Sequence, residues 1–283
     1  MYKIVRKKQL NSQMTLMDIH APFVAKKAQA GQFIMLRVNE TGERIPLTIA
    51  DYDREQGWVE IIYQKVGKTT MLLDSLNEGD SILDFVGPLG KATEHDGVKR
   101  AAVIGGGAGC AIAYPQTKSM KEKGIYVDMI AGFRNTELII LENEMAAASD
   151  KLILMTDDGS NGNKGFVTDA LKREIEAGAN YDFVIAIGPL PMMRAVCNLT
   201  KEYGIKTLIS MNSYMIDGTG MCGCCRVTVG GEVKFACIDG PDFDGHLVDF
   251  DEAIKRSRVY LDQERKERDE YCNLMKPEVS DNG

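Results

Sequence analysis

The chain has 283 residues, enough for two ordinary domains and a small appendage. Its 44% hydrophobic and 27% charged residues exclude a disordered chain, and a net charge of −7 argues against nucleic acid as a partner. The apolar runs, such as 183–187, are too short to cross a bilayer, and the N-terminus turns polar at once. Seven cysteines without a secretion signal suit a reducing, cytoplasmic setting, in which clustered thiols bind metal more often than they pair.

Residues 1–98 read as β structure. The runs 32–38 and 58–64 are rich in β-branched and aromatic residues and are punctuated by glycines, the pattern of a small barrel. A short helix is expected at 70–76. Within this region, Arg44, Ile45, Pro46, Leu47 and Thr48 combine a guanidinium, a rigid proline and a hydroxyl, a set able to hold a pyrophosphate and orient a flat ring. Ile62, Tyr63 and Gln64, followed by Gly67, Thr69 and Thr70, add an aromatic face and two hydroxyls. Without the rest of the chain, a β-edge arginine and a helix cap explain the same residues.

From 99 to 211 short apolar strands alternate with helical stretches, which implies a parallel, doubly wound sheet. Strands are expected at 101–104, 126–131, 151–156, 183–187 and 207–211, with helices at 111–123, 136–148, 168–177 and 191–203. Gly105, Gly107 and Gly109 follow the first strand and open a helix, as a dinucleotide turn must, although Cys110 stands where the third glycine of the fingerprint belongs. Gly188, Pro189 and Met192 form a second turn after a later strand. In such a sheet ligands lie at the carboxyl ends of the strands, so both turns can face one crevice, with Asp157 at a third strand end.

Residues 212–247 hold the densest signal. Asp217, Cys222 and Cys225 reproduce the C-x4-C-x2-C spacing of a [2Fe–2S] loop with aspartate in the first position, and Cys237 completes the set. A four-thiolate zinc site is the alternative, but a second C-x2-C pair and a metal-spaced histidine are lacking. Cys224 is a bystander in this reading. A hairpin is expected over 226–236 around Gly230 and Gly231. The remainder, 248–283, is a charged helix over 249–271 with a thin stripe at Phe250, Ile254 and Leu261, then a frayed tail. With three histidines and no nucleophile–base arrangement, general acid–base catalysis is poorly supplied, which suits a protein whose cofactors carry the chemistry.

In this order, the barrel, the glycine turns and the Asp217–Cys237 segment resemble the ferredoxin reductase-like electron-transfer subunits, over nearly the whole chain. The aspartate, with 235–241 and 243–250, is similar to the small subunit of NADH-dependent reduced ferredoxin:NADP+ oxidoreductase. The electron-transfer subunit of dihydroorotate dehydrogenase carries cysteine at that position instead. The resemblance implies FAD on residues 45–48, 62–64, 69 and 70, and NAD(H) in the crevice with its C4 against the flavin N5. It implies a [2Fe–2S] cluster on Asp217, Cys222, Cys225 and Cys237. It further implies a larger flavoprotein partner with FAD and [4Fe–4S] clusters, and electron bifurcation between NADH, ferredoxin and NADP+. Thr69-Thr70 stands where the family has Gly-Thr, and the barrel arginine is displaced to Arg44. The rival readings are a dihydroorotate or sulfide dehydrogenase subunit, and a nucleotide-binding module with structural zinc.

Overall fold

A computed structural model describes residues 1–274; the tail at 276–283, expected to be frayed, lies outside the described residues. The chain begins with β1 (Tyr2–Gln9), β2 (Met14–His20), α1 (Pro22–Ala25), β3 (Phe33–Arg37), β4 (Ile45–Asp53), β5 (Trp58–Gln64), α2 (Lys68–Asp74), β6 (Ser81–Ile82) and β7 (Asp84–Leu89). The seven strands pair antiparallel in the order β6-β1-β2-β5-β4-β3-β7 and curl into a near-closed barrel. Alternating side chains fill it, with Ile4, Ile19, Ile34, Leu36, Ile61 and Phe85 fully buried. The register pairs Phe33 of β3 with Thr48 of β4, and Met35 with Pro46.

The second layer comprises β8 (Arg100–Gly106), α3 (Cys110–Glu122), β9 (Tyr126–Phe133), α4 (Glu142–Ala148), β10 (Lys151–Thr156), α5 (Val167–Glu176), β11 (Phe183–Ile187), α6 (Leu190–Glu202) and β12 (Lys206–Ser210). Strands β8 to β12 run parallel in the order β10-β9-β8-β11-β12. The order reverses between β8 and β11, which opens a crevice at their carboxyl ends. The helix expected over 136–148 forms in two pieces, a 3-10 turn at Thr136–Leu138 and then α4, because Ile139 is extended and Leu141 has φ +53°.

The cysteine-rich segment carries β13 (Arg226–Val229) and β14 (Glu232–Phe235), the expected hairpin, then β15 (Asp242–Asp244). β15 returns to pair antiparallel with β12 as the sixth strand of the nucleotide sheet. Phe243, Val248 and Phe250 enter the core of that domain with Ile209 and Val196. The charged tail forms two helices, α7 (Phe250–Arg256) and α8 (Leu261–Leu274), separated by a turn at 257–260. Among the described residues, no helix is long and apolar enough to cross a membrane.

Candidate active site and cluster loop

One cavity of about 900 Å3 lies between the barrel and the sheet, within the roughly 300–1,000 Å3 usual for ligand sites. Pro46, Leu47, Thr48, Ile62, Tyr63, Gln64 and Thr70 line its barrel side. Gly107, Gly109, Asp157, Gly188, Pro189 and Met192 line its sheet side. The two glycine turns touch: a Cβ on Gly188 would sit 3.2 Å from Gly106 Cα, and one on Gly109 would sit 2.3 Å from the Ile187 carbonyl oxygen. The main chain can therefore come close to a pyrophosphate at the start of α3.

Five expected residues sit off the lining. Gly105 lies within β8, one residue before its end, and Gly67 caps α2, where its N–H donates to Thr70 Oγ1 at 3.1 Å. Thr69 is buried on the inner side of α2, and Ile45 packs on the barrel core. Arg44 turns away and donates from Nη2 to the Asp217 carbonyl oxygen at 3.2 Å, so it ties the barrel to the cysteine loop. The Tyr63 hydroxyl donates inward to Asp74 at 3.3 Å, and burial pushes it far above its ordinary value. Its side chain belongs to the barrel core, so the cavity meets no free Tyr63 hydroxyl.

Other lining residues escaped the sequence reading. Ser210, Met211, Asn212 and Ser213 stand at the carboxyl end of β12, and Pro241 stands opposite them. The strand-end rule that singles out Gly188 applies equally to β12 and is the signal that finds them. Asn11 and Gln13 belong to a polar turn, and Phe166 to a loop; no motif marks them.

The cysteine loop lies against the barrel. Gly218, at φ +83°, would place a Cβ 2.8 Å from Met35 Cγ and 3.1 Å from Leu89, so only glycine permits this approach. Met35 is the cross-strand partner of Pro46. The loop and the cavity wall therefore share β3.

Asp217 and Cys222 stand at the exposed side of this loop, Cys225 and Cys237 at its buried end. Cys225 Sγ and Cys237 Sγ approach to 3.3 Å, and Cys237 N donates to Cys225 Sγ at 3.4 Å. Two thiolates so close need a cation to offset their repulsion. Burial, with Cys225 alongside, pushes the Cys237 thiol up to about 12, so a bound cation is what would ionise it. The N–H groups of Cys224, Asp217 and Ile216 hold Cys222 below the ordinary thiol value. Asp217 Oδ2 accepts from Thr219 N (3.0 Å), Thr219 Oγ1 (2.5 Å) and Met221 N (3.1 Å), which leaves Oδ1 outside these bonds. Amides aimed at sulfur and an uncommitted carboxylate oxygen fit an anionic iron–sulfur cluster. Among the described residues, no three His, Cys, Asp or Glu side chains close on one ion position. The Cys224 carbonyl oxygen accepts from Arg256 Nη2 at 3.0 Å.

The comparisons with known proteins agree with this arrangement. Residues 2–93 match the oxidoreductase FAD-binding domain, 103–198 the oxidoreductase NAD-binding domain, and 212–249 the iron–sulfur cluster binding domain of dihydroorotate dehydrogenase B. A Thermotoga maritima homolog of the dihydroorotate dehydrogenase B electron transfer subunit is 44% identical over 263 residues, 93% of each chain. The chain belongs to the ferredoxin reductase-like electron-transfer subunits. An uncharacterised Clostridium beijerinckii protein from the adh 3′ region is similar at 53% identity over 94% of this chain and 93% of that one. A solved structure of the NADH-dependent reduced ferredoxin-NADP oxidoreductase, studied for flavin-based electron bifurcation, superposes with a TM-score of 0.91. It is 42% identical and covers 96% of this chain and 98% of that chain. The ferredoxin reductase of carbazole 1,9a-dioxygenase, at 19% identity and TM-score 0.61 over 72% of this chain and 65% of that one, shares the fold. As a member of this family the chain is an oxidoreductase subunit that uses FAD, NAD(H) and an iron–sulfur cluster, and it works with a larger catalytic subunit.

Proposed function

We propose that this chain is the small subunit of a cytoplasmic, electron-bifurcating NADH-dependent ferredoxin:NADP+ oxidoreductase. It would take hydride from NADH and send single electrons to a larger subunit that carries its own FAD and [4Fe–4S] clusters. The observation that carries this reading is the near full-length match to the solved bifurcating enzyme. When bound, FAD supplies the conversion of a two-electron hydride into single electrons, and a [2Fe–2S] cluster supplies the one-electron exit. Residues 46–48, 62–64 and 70 would hold the flavin against the barrel. The start of α3 and the Gly188 turn would receive the dinucleotide pyrophosphate, and Asp157 would take a ribose hydroxyl. Asp217, Cys222, Cys225 and Cys237 would ligate the cluster, and Met35 and Arg44 would hold that loop on the flavin side.

A second reading, the electron-transfer subunit of a dihydroorotate dehydrogenase, is supported by the family match over 212–249 and by the Thermotoga relative. Purification with the native partner separates the two. In the first reading the complex reduces NADP+ only when NADH and reduced ferredoxin are supplied together. A complex that reduces NAD+ with dihydroorotate and ignores ferredoxin overturns it.

A further inference from the structure

A hydride is one proton and two electrons. If the electrons leave through a one-electron carrier, the proton stays behind in the cavity and needs an acceptor. The cavity wall offers few. Its titratable residues are Tyr63, Arg134 and Asp157. The Tyr63 hydroxyl is tied to Asp74, the arginine stays protonated, and Asp157 is exposed at the far end of β10.

Behind the wall lies a carboxyl that no step described above employs. Ser210, which lines the cavity, faces Asp242 across one rung of the β12–β15 ladder. This rung sits at the flavin side, because Pro241 and the Phe33 ring both crowd Gly90, and Phe33 is paired with Thr48. Asp242 Oδ2 accepts from Thr93 Oγ1 at 2.5 Å and from Gln116 Nε2 at 3.5 Å. The Ser210 hydroxyl faces the same carboxyl closely enough to favour its charged form, while Oδ1 is buried with no hydrogen-bond partner. The linker before β8 contributes Thr93, α3 contributes Gln116 and β12 contributes Ser210. Among the described residues none of these contacts carries a charge. A buried acid with an open oxygen and no cation is costly as structure alone, since a neutral side chain of the same shape would avoid the desolvation.

We propose that Ser210 and Asp242 form the proton port of this cavity. The Ser210 hydroxyl accepts the proton left by the hydride and passes its own to the Asp242 carboxylate, which releases it to water as the cycle closes, so one hydride yields two electrons to the carrier and one proton to water. Burial pushes the Asp242 carboxyl up to about 6, close enough to neutrality to load and unload. This inference rests on the electron-transfer reading, and Asp242 acts through Ser210.

The test is infrared difference spectroscopy on the holoprotein labelled with 13C-aspartate, reduced by dithionite and reoxidised without any nucleotide. A protonated-carboxyl band is expected to come and go with the redox cycle, to vanish in Asp242→Asn, and to lose its coupling to the cycle in Ser210→Ala. Stopped-flow mixing with NADH should show cluster reduction in Ser210→Ala slowed relative to that variant's own hydride step, on the order of tenfold or more, with an altered solvent deuterium effect. Because Asp242→Asn removes a buried acceptor and can cost the fold, Ser210→Ala carries the test by itself. A carboxyl silent through the cycle, or wild-type cluster reduction in Ser210→Ala, overturns the port. A wild-type chain that NADH cannot reduce overturns the functional reading, while the dithionite arm still decides the port.

Discussion

At the scale of single residues, Asp217, proposed above as a cluster ligand, is joined through its carbonyl oxygen to Arg44. An oxygen ligand donates to iron differently from a thiolate, so Asp217→Cys should retain the cluster and shift its reduction potential. A titration followed by electron paramagnetic resonance that finds the same potential would remove Asp217 from the ligand set. Arg44 places a cation beside that carboxylate. Arg44→Met should therefore lower the potential by tens of millivolts with unchanged iron content. Glu60 offers a test on stability. It shares Arg6 with Asp18, and burial together with that second carboxylate pushes it from 4.5 up to about 7. The unfolded chain loses this proton near pH 4.5 and the folded chain near 7, so stability falls as pH rises between those values. The loss is on the order of 3 kcal/mol by pH 7. Glu60→Gln should flatten the pH dependence of urea unfolding across that window; an unaltered slope would place the effect elsewhere.

At the scale of elements, Gly109 shows how closely strand, turn and helix are joined. Its Cβ position falls 2.3 Å from a backbone oxygen of the neighbouring turn, an atom that cannot swing aside. Gly109→Ala should cost about 1–3 kcal/mol in thermal unfolding and weaken NADH binding, read by quenching of flavin fluorescence. The strands of the nucleotide sheet were legible because buried parallel strands are short continuous apolar runs bounded by glycine. Phe183–Ile187 and Lys151–Thr156 coincide with their runs. β15 was not legible: Asp242-Phe-Asp244 has acidic residues on both sides of one aromatic, and only tertiary pairing with β12 makes it a strand. The thin stripe of the charged tail spans a turn at 257–260, since a weak apolar period over many charges does not reveal where a helix stops. Ser210 and Asp242, thirty-two positions apart, are brought together by that same unseen strand.

On the scale of the whole molecule, the barrel and the sheet are clamped at more than one point. Lys118 of α3 binds Asp51 of β4 at 2.7 Å, and Asn11 donates to the Leu138 carbonyl oxygen at 3.1 Å. The cysteine segment, which reads in sequence as an appendage, leaves the sheet after Ser210 and re-enters it at Asp242 on the same rung. Its two ends are therefore neighbours in space. Such closure makes 211–241 a cassette: a tight hairpin turn joining Ser210 to Asp242 should leave the six-stranded sheet intact, a soluble flavoprotein without iron, checked by circular dichroism and flavin content. The anchoring also forbids a swinging-arm mode of delivery. An electron leaving this subunit does so from a fixed position, and its destination has to come to it.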